Sequence, residues 1–299
     1  MSTSVLYDAP GPRARAVNLI ATLLGVALLA WIAWVVYSKF DDTGQWEKEK
    51  WKPFLEADVW NNFLLPGIAG TLRAFALATV LALAFGLVFG VGRMAQSAWI
   101  RWLSGFWVEF FRSIPLLLLM FFLYYVQQPL GLEASIYWAV VLGLMLYNGS
   151  VLAEVIRAGV NSLPRGQREA ALAVGLTQSQ VMRSILLPQA IRAMLPAIIA
   201  QLVVLLKDTA LGYILAYDEL LNQVNKVGQL NNNLIPTAIV VALIYIAMNS
   251  SLSSFATWLE KFMGRRGHTA GPVGHADQLM PGGTAAAVPG AGVGQGGAV

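Results

Sequence analysis

Long apolar runs separated by short polar stretches dominate the chain from residue 17 onward. Residues 17–37 hold 21 positions without a charge, about 31 Å as a helix against a hydrocarbon core of roughly 30 Å. Residues 75–92 and 136–153 are again charge-free, and 236–259 is apolar but dotted with Ser and Thr. Two briefer runs, 114–126 and 193–206, are too short to cross alone and must extend into polar neighbours. The pattern predicts an all-α polytopic membrane protein with six transmembrane helices. The first run is long for a signal-peptide core and lacks a small-residue cleavage site, so it reads as an uncleaved helix.

Composition agrees: 57% of residues are hydrophobic and 12% charged, where a soluble domain carries roughly a quarter charged. Lys and Arg set the orientation. With a cytoplasmic N-terminus, thirteen fall in inside segments (Arg13, Arg15, Arg93, Arg101, Arg112, Arg157, Arg165, Arg168, Arg183, Arg192, Lys261, Arg265, Arg266). Five fall outside (Lys39, Lys48, Lys50, Lys52, Lys226), and Arg73 and Lys207 lie within or near spans. Both termini are therefore expected in the cytoplasm. The pI near 9.4 reflects this topology and gives no reason to invoke nucleic acid. The chain has no cysteine, and its histidines, His268 and His275, both lie near the C-terminus. This reading divides the chain into a cytoplasmic N-terminus (1–16), a first span (17–37), a solvated extracytoplasmic loop (38–60), a core (61–260) and a Gly-, Ala- and Pro-rich tail (264–299) expected to be disordered. No fixed-period repeat is present, which counts against secondary transporters built from internal repeats.

Between the fourth and fifth spans, residues 158–192 form a polar insert on the arginine-rich side. Residues 167–174 are strong helix formers, and Gly175 is placed to end that helix with a left-handed residue. Thr177 then offers an N-cap, with Gln180 three positions on as in a capping box. A second short helix is expected to stop at Pro188. Ala170, Ala171, Val174 and Leu176, supported by Val181, Ile185 and Leu186, can form one face of this helix–turn–helix knob.

The insert fits E-A-A-x₃-G-x₉-I-x-L-P without mismatch: Glu169, Ala170, Ala171, Gly175, Ile185, Leu187 and Pro188. It resembles the cytoplasmic signature loop of ABC-importer permeases, the binding-protein-dependent inner-membrane components. Flanking stretches AEVIRAGVNSLPRGQREAA, ILLPQAIRAMLP and LLKDTALGYIL, with GTLRAFALA and WVEFFRSIPLLLLMFF upstream, resemble the polar-amino-acid subfamily over residues 64–260. The start DAPGPRARA and the stretch KWKPFLEADVWNNFLLPGIAGTL resemble actinobacterial glutamate-type permeases. The resemblance implies a type I importer permease fold with a MetI-like core of five helices, in a bacterial cytoplasmic membrane. It implies ABC ATPase subunits docking on the insert (Gly166, Glu169, Ala170, Ala171, Gly175, Ile185, Leu187, Pro188), a second permease subunit and an extracytoplasmic amino-acid-binding protein. ATP and Mg would be used by the ATPase partner. No cofactor is expected on this chain, and no glycine is followed by lysine, so a phosphate-binding loop of the G-x-x-x-x-G-K type is impossible.

Ionisable residues at membrane depth are functional candidates by default. Arg73, in the outer half of span two, is a cation able to pair with an acidic substrate or to snorkel to headgroups. Lys207, Asp208 and Thr209 match the family's K-D-T pattern and are candidates for lining the pathway or for a structural charge pair. Glu154 and Arg157, like Glu109 and Arg112, are spaced to pair along a helix, as a helix-end ion pair or a gate. Pro115 marks a helix start, and Phe121, Phe122, Tyr124 and Tyr125 suit an interfacial belt or, as the alternative, packing against the partner subunit. A secondary transporter or channel with a long cytoplasmic loop is the main alternative function. A membrane-embedded enzyme is disfavoured by the lack of cysteine, of histidine in the spans and of paired carboxylates.

Overall fold

The computed structural model describes residues 11–264, entirely helical where regular. The expected disordered tail, with both histidines, lies beyond Gly264 outside the described residues, as do the first ten residues.

Helix α1 (Pro12–Asp42) is apolar, and none of its residues is buried. The segment expected as a solvated loop is instead largely helical. It holds α2 (Lys48–Trp51) and a 3-10 turn (Lys52–Leu55), and residue 57 already begins the next helix. Indole rings organise it: Trp51 Nε1 donates to Gln45 O at 2.8 Å and Trp60 Nε1 to Phe54 O at 2.8 Å. Tyr37, Trp46 and Trp51 stack in series. The composition looked loop-like because its charges point outward while the tryptophans tie the turns together.

Helix α3 (Ala57–Val59) runs through a π turn (Trp60–Leu64) into α4 (Leu65–Gly92), one span of 36 residues. Small residues every fourth position, Gly70, Ala74, Ala78, Ala82, Gly86 and Gly90, form its buried stripe. Such a row follows an i±4 ridge and lets a neighbouring backbone come close, the usual basis of helix association in lipid. The neighbour is α7 (Ile136–Asn161). A Cβ on Gly86 would stand 2.8 Å from Leu152 Cβ, and one on Gly90 2.8 Å from Ala153 O.

Between these spans lie α5 (Ala98–Ser113) and α6 (Leu116–Tyr125), set at 101° to each other around Pro115. α6 has 10 residues, about 15 Å, too short to cross alone, so the pair is either a broken span or a re-entrant loop. Among the described residues five helices are long and apolar enough to span, or six if this pair counts as one. The expected aromatic belt divides: Phe121 and Tyr124 pack on the core, whereas Phe122 and Tyr125 are exposed.

After α7, the knob contains α8 (Arg165–Ala173) and α9 (Gln178–Gln180). α9 does not stop at Pro188. It continues through a π turn (Val181–Leu186) into α10 (Leu187–Asp208) and a 3-10 turn to Leu215. Proline lacks an N–H and its ring collides with the carbonyl four residues earlier. That residue is Ser184 for Pro188 and Asn62 for Pro66, and both lie inside the π turns. Widening the helix just ahead of each proline removes the conflict, so the chain passes without a break. Helices α11 (Asn222–Leu230) and α12 (Leu234–Gly264) complete the bundle.

Candidate functional site

The knob carries the local geometry its sequence dictates. Gly175 has φ 83°, and its N–H donates to Leu172 O at 3.0 Å, closing α8. Thr177 N donates to Gln180 Oε1 at 2.8 Å and Gln180 N to Thr177 Oγ1 at 3.4 Å, a capping box that starts the second arm. Val160, Ala171, Val181, Leu186 and Ala190 form the small core joining knob to span.

The apolar positions of the knob divide, with Ala171 buried but Ala170 and Val174 turned outward. Val174 is 77% exposed, and Ala170 is also exposed. Together with Gly166, around which a Cβ would meet nothing within 4 Å, they give α8 an outward face of small and apolar residues. Glu169 is exposed and makes no hydrogen bond or ion pair among the described residues. Ile185 and Leu187 are partly buried, whereas Pro188 is exposed.

Beneath the knob, the two expected helical ion pairs merge into one chain. Arg93, at the end of α4, reaches Glu109 of α5 at 3.0 Å and Glu154 of α7 at 2.9 Å. Arg112 pairs with Glu109 at 3.2 Å, and Arg157 Nε donates to Glu154 Oε1 at 3.0 Å. Arg93 had counted only toward orientation, because its partners lie 16 and 61 residues away in sequence. The network ties three helices at the end of the bundle that bears the knob.

Midway along α7, buried Asn148 joins α10. Its Oδ1 accepts from Gln201 Nε2 at 2.7 Å, and its Nδ2 donates to Asp208 Oδ2 at 3.4 Å. The residues 207–209 do not share one environment. Lys207 is exposed with no hydrogen bond or ion pair among the described residues, and Asp208 is half-buried against Asn148. Thr209 is fully buried, its hydroxyl donating to Leu206 O at 2.7 Å. The α-helix ends at Asp208, level with mid-α7, and the chain tightens to 3-10 there.

The opposite end of the bundle is locked by a residue the sequence reading passed over. Glu219, with no exposed surface, accepts from Leu221 N at 2.8 Å, Asn222 N at 2.9 Å and Tyr245 Oη at 2.6 Å. Burial pushes its carboxyl above the usual carboxylate range. Thr71 Oγ1 accepts from Leu220 N at 3.1 Å, and Tyr217 Oη donates to Gly70 O at 2.8 Å. Burial raises the Tyr217 phenol to about 12, which keeps it a neutral donor. Gly70 is required here: a Cβ would fall 2.2 Å from Asp218 O. Arg73, one turn from Gly70, is exposed and makes no hydrogen bond or ion pair among the described residues. Among these residues no three His, Cys, Asp or Glu side chains group to hold a metal ion.

The described residues form a bent, multi-span helical bundle with a projecting helical elbow. Residues 59–265 match the family model of the binding-protein-dependent transport system inner membrane component, and the chain belongs to that family. Over 221 residues it is 43% identical to the glutamate transport system permease protein GluD of Corynebacterium glutamicum, covering 73% of this chain and 81% of that one. It is 35% identical to the probable glutamine ABC transporter permease protein GlnP of Bacillus subtilis, covering 68% and 93%. Among solved structures, an amino acid ABC transporter with histidines matches at TM-score 0.64 and 27% identity, over 70% of this chain and 97% of that one. An inward-facing MetNI methionine ABC transporter shares the fold at TM-score 0.61 and 20% identity, over 69% and 98%. α1 precedes the family-matched region.

Proposed function

We propose that the chain is the permease subunit of an amino-acid ABC importer that takes acidic amino acids, glutamate foremost. The observation carrying the substrate is the 43% identity to a glutamate transport system permease over most of both chains. Arg73 supports it as an unpaired guanidinium in the outer half of a pathway helix, suited to a substrate carboxylate. Lys207 adds a second exposed cation where α10 tightens to the 3-10 turn.

In this reading an extracytoplasmic binding protein delivers the amino acid to this permease and a second permease subunit. An ATPase subunit, which uses ATP and Mg, grips the outward face of α8 at Gly166, Ala170 and Val174, with Glu169 free to accept a donor from it. Closure of the ATPases moves the knob, and α9–α10 carry that motion without interruption from Gln178 to Asp208, where the helix tightens to 3-10. The Arg93 network joins the same end of the bundle to α4, α5 and α7, so the spans respond together. ATP drives reorientation only through differential affinity for the two pore states.

Proteoliposome uptake tests the reading. Glutamate uptake is expected to need internal ATP and the binding protein, and to survive collapse of proton and sodium gradients. Uptake lost with the gradients, or a preference for neutral amino acids, would contradict it. In the same assay Arg73→Ala is expected to cut glutamate uptake roughly tenfold or more, the worth of one hydrogen bond to a charged group. Unchanged uptake removes Arg73 from the pathway.

A further inference from the structure

A cleft of about 730 Å³ lies between the end of α4, the start of α5 and the two arms of the knob. It opens on a different face of α8 from Gly166, Ala170 and Val174. Its rim carries Arg165, Arg168 and Arg183, and Val88, Val91 and Leu186 lie among its apolar lining. No aspartate or glutamate lines it. Arg165 and Arg183 are exposed and make no hydrogen bond or ion pair among the described residues, and Arg168 donates only to Gln178 Oε1, at 2.8 Å. Three guanidinium groups around one cavity without a counter-charge repel one another, so the cleft favours an anion.

The lining also says which kind of anion. A small hydrophilic ion would leave an apolar floor in water. Val88, on the membrane-spanning part of α4, is 65% exposed, and Ile100 at the other side is 49% exposed. The cleft is therefore continuous with the surface that acyl chains cover, while its arginines face the aqueous side. Basic pockets between helices at the cytoplasmic face suit anionic headgroups, and guanidinium binds phosphate through paired hydrogen bonds.

We propose that this cleft binds an anionic phospholipid of the inner leaflet, its phosphate on Arg165 and Arg183 and an acyl chain along Val88 and Val91. The lipid bridges the end of α4 to both arms of the knob and fixes their relative angle. The site rests on the knob facing the cytoplasm, but lipid binding is read without transport, so its failure leaves the importer reading standing.

The test is native mass spectrometry of the delipidated full-length chain in detergent, titrated with phosphatidylglycerol or phosphatidylcholine. Preferential binding of phosphatidylglycerol is expected. The exposed-site variant R165Q/R183Q is expected to weaken it about thirtyfold, from roughly fivefold per basic side chain, without changing phosphatidylcholine binding. Equal binding of the two lipids, or an unaffected variant, overturns the proposal. Displacement of the lipid by millimolar inorganic phosphate or by glycerol phosphate also overturns it, because that result marks a free-anion site. Resistance to both competitors supports it, and this wild-type arm stands even if the variant fails to assemble.

Discussion

Gly175→Pro is expected to leave the chain inserted but to uncouple transport, lowering uptake by up to about a hundredfold, the upper range of coupling between sites. The residue sits at φ 83°, and its N–H donates to Leu172 O. Proline fixes φ near −65° and has no N–H, so the turn that sets α8 against α9 cannot form. The spans fold on their own contacts, because the stripe from Gly70 to Gly90 and the core around Leu144 and Leu152 lie away from the turn. Gly175→Ala is the graded control, costing about 1 kcal/mol at a positive φ. Glu169→Lys reverses an exposed charge without touching the fold and is expected to impair coupling as well. Full uptake with normal co-purification of the ATPase in either Gly175→Pro or Glu169→Lys would count against the knob as the transmission point.

Glu219→Ala is expected to have the largest effect on stability. It strands the N–H groups of Leu221 and Asn222 and the Tyr245 hydroxyl, all held at 2.6–2.9 Å by a side chain with no exposed surface. Each buried unsatisfied group costs about 1–3 kcal/mol, so a loss of about 3–5 kcal/mol follows once the segment relaxes. The melting temperature of the purified protein in detergent should fall clearly, and Glu219→Gln, which retains one acceptor oxygen, should recover part of the loss. An unchanged melting temperature would show that the outer segment is held otherwise.

Much of the fold was legible because a membrane protein writes its spans as uninterrupted apolar length. The knob was legible for a different reason. Its turn depends on Gly175 and its second arm on the Thr177–Gln180 capping box, and both are local devices set by neighbouring residues. What escaped depends on distant partners. Glu219 also caps the neighbouring N–H groups of Leu221 and Asn222, but its tie across the bundle comes from Tyr245 and Thr71, as Arg93's comes from Glu109 and Glu154, partners 16 or more residues away. Pro188 misled because proline normally ends a helix, and the compensating π turn leaves no distinct residue signature. The exposure of Ala170 and Val174 is what leaves α8 a face to offer. The period-four stripe of α4 was visible in the residues, yet it stands out only once α7 is placed against it.

The central claim is that work from an ATPase enters this bundle through the outward face of α8. The chain has no cysteine, so Ala170→Cys introduces a single reactive site on that exposed face. In the assembled transporter, a short bifunctional reagent at residue 170 should link the chain to the ATPase subunit, with a yield that changes when nucleotide is added. An intact complex giving no such link, or a residue 170 labelled only from the extracytoplasmic side, would contradict the account.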